Sequence, residues 1–117
     1  MPHVVLMGKI PIEDMFNRLS SLFIRNGPKI LRTMDVYLER GKSAILIESL
    51  AIETGVKRQF LSMISGRDDG VVVRLYPQME VEKTDGVKQI LAEIAKQLKL
   101  TFPELHVGET NLDEYLK

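Results

Sequence analysis

Between Asp85 and Leu100 the apolar residues Val87, Ile90, Leu91, Ile94 and Leu98 recur at intervals of three and four. That spacing lines them up along one side of a helix. At about 1.5 to 3 kcal/mol for each large side chain taken out of water, the stripe represents about 7 to 15 kcal/mol of gross burial. A face of this kind is not left in solvent. It must cover the open side of a sheet, extend a helical layer or meet another subunit, and in 117 residues there is room for one domain to do so.

The remaining segments supply the sheet. Val4 to Met7 is a short apolar run closed by Gly8, the pattern of a strand buried on both faces. Met34, Val36 and Leu38 alternate with Asp35, Tyr37 and Glu39, and Gly41-Lys42 separates them from the Ile- and Leu-rich stretch from Ser43 to Glu53. This reads as a hairpin with Leu38 opposite Ile45 and Val36 opposite Ile47. Leu50 and Ile52 then fall on the parity of Leu46 and Glu48, and a bulge near Ser49 is expected to return them to the core. Val71, Val73 and Leu75 mark a fourth strand, ending before Pro77.

Two further helices are expected. Ile12, Met15, Phe16, Leu19, Leu22 and Phe23 keep the three-and-four spacing after Pro11, until Asn26-Gly27-Pro28 stops it. Thr54-Gly55 reads as the start of a helix carrying Val56, Phe60, Met63 and Ile64, closed by Ser65-Gly66. The order β-α-β-β-α-β plus a C-terminal helix predicts an α+β fold, a ferredoxin-like βαββαβ sandwich with an antiparallel four-stranded sheet in the order 4-1-3-2. Residues 1–100 form its single domain, and 101–117 an acidic, partly docked tail. An architecture of this type hosts unrelated activities and implies none.

Composition narrows the functional classes. The chain has no cysteine, which excludes disulfides, thiolate metal sites and a Cys nucleophile. Its apolar runs are too short to span a bilayer, and it opens on a strand-like segment without a signal-type leader, so the reading is of a cytoplasmic protein. Sixteen cationic and sixteen acidic side chains cancel overall. Residues 18–74 nevertheless hold ten Lys/Arg against six Asp/Glu, a net of +4, while 75–117 hold five against eight. Nucleic-acid binders usually carry a clear basic excess, and the whole chain does not.

Individual motifs are sparse. Gly41-Lys42-Ser43 lacks the earlier glycine and the following helix of a phosphate-binding loop, so it is a turn. His3 and His106 have no partner at metal-ligand spacing, and Asp68-Asp69-Gly70 lacks the alternating oxygens of a calcium loop. No cofactor or metal is expected. The outward side of the sheet is the richest surface, placing Tyr37, Glu48, Arg74 and Tyr76 among aliphatics as candidate binding residues, with Glu48 and Arg74 expected to pair across strands if that face is covered.

The leading expectation is a non-catalytic binding or assembly module that forms homo-oligomers through its sheet face or its third helix. The first alternative is an RNA-binding domain using the basic middle region, with Arg58, Arg67 and Arg74 as contacts. The second is an enzyme with a carboxylate-based site at Glu48 or at Asp68 and Asp69.

Overall fold

A computed structural model describing all 117 residues shows seven strands and two α-helices. They are β1 (His3–Met7), α1 (Ile12–Arg18), β2 (Phe23–Asn26), β3 (Lys29–Leu38), β4 (Ala44–Glu53), β5 (Val56–Arg67), β6 (Gly70–Leu75), α2 (Asp85–Thr101) and β7 (His106–Thr110), followed by a 3₁₀ turn at Asp113–Tyr115. All seven strands belong to one antiparallel sheet in the order β2-β3-β4-β5-β6-β1-β7. It curls into a half-barrel around α2.

The four-stranded ferredoxin-like sandwich with three helices is therefore not the fold. Strands β2 to β6 form a continuous meander of hairpins, with no helix crossing over between them, and β1 and β7 extend it beyond β6. Two segments read as helices account for most of the difference.

The first is the stretch after Arg18. Helix α1 ends there, with Leu19 already extended, and the chain runs on through Leu22 into β2. Thr33 explains the break: its backbone N–H donates to Leu22 O (3.0 Å) while its Oγ1 accepts from Leu22 N (2.8 Å). Asn26 pairs with Lys29, so Gly27-Pro28 is the two-residue loop of a hairpin rather than a helix stop. Gly27 has φ +61°, the positive value that a II′ turn requires of its first central residue.

The second is Thr54 to Ile64. Glu53 pairs with Val56, leaving Thr54 (φ +48°) and Gly55 (φ +82°) as a two-residue turn with both central residues at positive φ. The turn leads into the twelve-residue strand β5, whose inward positions Phe60, Ser62 and Ile64 alternate with Leu61 and Met63. A buried serine at a core position hid that alternation. Ser62 is tolerated because its Oγ lies 2.8 Å from Ser49 Oγ, which in turn donates to Ile47 O (3.0 Å).

The β3-β4 register does put Leu38 opposite Ile45 and Val36 opposite Ile47, but the bulge lies in β3, between Thr33 and Val36. Leu50 and Ile52 consequently stay on the outer face, and Ser49 and Ala51 face in.

Helix α2 lies in the concave side with its whole stripe, Val87, Ile90, Leu91, Ile94 and Leu98, sealed from water together with Ala92 and Ala95. Both ends are tied down. At the start, the Glu53 carboxylate accepts from Thr84 Oγ1 (2.5 Å) and Gly86 N (2.9 Å), and Thr84 Oγ1 caps Val87 N (3.3 Å). A carboxylate at a helix N-terminus satisfies otherwise unpaired N–H groups and complements the helix dipole. A Cβ on Gly86 would stand 2.7 Å from Glu53 Cδ, so the clamp needs glycine there. Near the far end, Gln97 exchanges two hydrogen bonds with the Ser20 backbone (2.8 and 3.0 Å), and Arg18 lies over the Phe102 ring at 5.0 Å. Beyond α2, Phe102, Leu105 and Leu112 are buried and β7 pairs with β1. No helix is long and apolar enough to cross a membrane.

Candidate functional site: the outer sheet face

With α2 inside the curl, the opposite side of the sheet is left without a covering layer. Its composition follows from register, since residues directly opposite on neighbouring strands share a face. One row crosses five strands as Tyr37, Leu46, Met63, Arg74 and His3. Next to it lie Glu48 and Leu61, with Tyr76 just past the end of β6, its N–H donating to Leu61 O (2.9 Å). On the other side lie Ala44, Ser65, Val72 and Val5. The centre is therefore hydrocarbon and thioether, and the polar groups stand at its flanks.

Tyr37, 48% exposed, donates from its hydroxyl to Glu48 Oε2 at 3.0 Å. That bond to a carboxylate, reinforced by burial and by the charges of Glu48 and Asp35, holds the phenol above its ordinary pKa. Arg74 lies two strands away on β6, where its Nε donates to Ser65 Oγ at 3.4 Å and no carboxylate pairs with it. The expected Glu48–Arg74 pair is not formed within the chain; Glu48 turns to Tyr37 instead. Tyr37, Glu48, Arg74 and Tyr76 thus occupy one face, as two acid-side and two base-side groups around an apolar centre.

The three arginines considered for RNA are not brought together. Arg58 faces inward, with Nη2 at 3.1 Å from Glu82 and Nη1 at 3.9 Å from Glu53. Arg67 is at the β5-β6 turn, paired with Asp69 at 3.1 Å. Only Arg74 is near the centre of the outer face; Arg67, of the same parity on β5, stands at its end.

Two depressions border the face and share Met79. The larger, about 650 Å³, runs along Leu75 to Pro77 and Met79 to Lys83 beside Met1. The smaller, about 300 Å³, brings Glu48 together with Met34, Phe60, Leu61 and Met79. The smaller one also reaches Ser49, but that hydroxyl is engaged with Ile47 O and Ser62, and no imidazole stands near it. Glu48, held by Tyr37, is the one ionisable side chain lining this depression. Asp69, the other acidic candidate, is occupied by Arg67.

Sequence reading missed one group of residues, because it placed Phe23 and Lys57 on helices. In the sheet, Phe23, Arg32, Leu50 and Gln59 form one row, and Arg25, Ile30, Ile52 and Lys57 the next. Read as period-two strands about the turns at Gly27 and Gly55, the same residues would have aligned. Comparison with known proteins finds no match of this chain to a protein-family model, a curated protein or a solved structure.

Proposed function

We propose that this chain is a non-catalytic assembly module that pairs with a second copy through its outer sheet face. The supporting observation is a division of apolar surface. The stripe of α2 is buried inside the curl, whereas Leu46, Leu61 and Val72, half-buried around the nearly sealed Met63, form the apolar centre of a sheet face on which no other element is layered. Contiguous apolar patches of this kind, rimmed by polar groups, mark interaction surfaces.

The flanking charges choose the partner. A two-fold axis lying between two stacked copies of the face, oblique to the strands and passing over the point midway between Leu61 and Met63, sets Glu48 of each copy against Arg74 of the other, with Leu61 and Met63 packed at the centre of the contact. A surface that is its own complement under rotation satisfies the requirement of an isologous dimer. Arg74, without a carboxylate in its own chain, acquires one there.

Light scattering over a concentration series tests this. The wild type is expected to move from monomer to dimer mass, E48R and R74E each to remain monomeric, and an equimolar mixture of the two to form a mixed dimer, because each unlike pair is restored. A wild type that stays monomeric at high micromolar concentration, or singles that dimerise as well as wild type, contradicts the reading.

A further inference from the structure

The two rows missed by the sequence reading form a second surface at the other end of the same face. Arg25, Arg32 and Lys57 are all exposed, and none has a carboxylate partner. The nearby acids are committed elsewhere: Glu53 to the start of α2 and Glu82 to Arg58, both from the inner side. The outer end thus carries three uncompensated cations on strands β2, β3 and β5, over a width of about 14 Å at the usual strand spacing. Ile30, Leu50 and Ile52 lie between them, half-buried and level with the sheet. Phe23 alone stands out, 63% exposed on the edge strand.

We propose that this end of the face binds single-stranded nucleic acid, with Arg25, Arg32 and Lys57 on successive phosphates and one base stacked on Phe23. Cations spaced across a sheet match an extended polyanion, and an exposed ring on a sheet is a stacking platform for an unpaired base. An anionic membrane fits less well, since a single protruding ring leaves little apolar surface to insert. An acidic peptide would want side-chain pockets, and the larger depressions lie elsewhere, the nearest touching only Gln59 among these residues. The proposal does not rest on dimerisation, whose axis lies between Leu61 and Met63.

Fluorescence anisotropy with labelled oligouridylate and oligothymidylate, at low salt and then through a salt titration, reads it out. Binding to both is expected, with log K falling against log salt at a slope of about −2, the value for three phosphates on a single strand. R25A, R32A and K57A should each weaken binding and reduce the slope by about 0.7. F23A should weaken binding about five-fold or more, and Phe23→Tyr should retain it. R67E, a charge change outside the surface, should alter neither slope nor the effect of F23A. Absence of binding at low salt overturns the proposal. So do equal affinity for a duplex of the same length, an F23A variant that binds like wild type, or binding to phosphatidylserine vesicles without binding to the oligonucleotides.

Discussion

Thr54 sits at φ +48°, a conformation that β-branched residues adopt only under constraint, and its side chain helps by donating to Glu53 O at 2.7 Å. Asparagine relieves that strain without changing the turn, and Asn-Gly is the favoured pair for two central residues at positive φ. Thr54→Asn is expected to raise stability by about 0.5 to 1 kcal/mol in denaturant unfolding. Glu53, one position earlier, holds the first turn of α2 through two hydrogen bonds. Glu53→Ala should lower stability by about 1.5 to 3 kcal/mol, the range for hydrogen bonds to a charged group. It should also accelerate amide exchange in the first turn of α2 more than in the sheet, which distinguishes loss of the clamp from a general weakening.

At the level of elements, what could be read from sequence depended on whether local spacing matched the final environment. The run at Val4 to Met7, the alternation through Val36 and Leu38 with its register against Ile45 and Ile47, the strand from Val71 to Leu75 and the α2 stripe all showed their periods openly, and the structure contains them. β5 did not, because Ser62 occupies an inward site and Met63 an outward one, leaving Phe60, Met63 and Ile64 at helix-like spacing. β2 is only four residues long, and its pairing is decided by Thr33, ten positions away from Phe23. A local reading has no access to either fact. The Ser49–Ser62 pair makes the point testable. Ser49→Ala leaves the Ser62 hydroxyl buried without its partner and should cost about 1 to 3 kcal/mol, whereas S49A/S62A should cost less than the sum of the two single changes. Additive losses would mean the hydroxyls are not coupled.

For the whole molecule, closure of the half-barrel around α2 is completed by the C-terminal segment. Tyr115 donates its hydroxyl to Asp85 Oδ1 at 2.6 Å, and that bond, with burial and neighbouring acids, pushes the phenol up to about 12. A folded-state pKa above the unfolded value stabilises fully below pH 10 and is lost as pH rises through about 12. Stability is therefore expected to fall between those values, and Tyr115→Phe should flatten that part of the profile. An unchanged slope in the variant would show that the bond does not contribute. The inner face is sealed by α2, whereas no element is layered on the outer face, and the proposed assembly predicts different behaviour for the two in solution. A dilution series of backbone and methyl NMR spectra measures that difference most directly. The expected result is that Leu46, Leu61, Met63, Val72 and Arg74 shift with concentration while Ile90, Leu91, Ile94 and Leu98 do not; spectra that are identical at every concentration, or shifts confined to α2, would contradict assembly through the outer face.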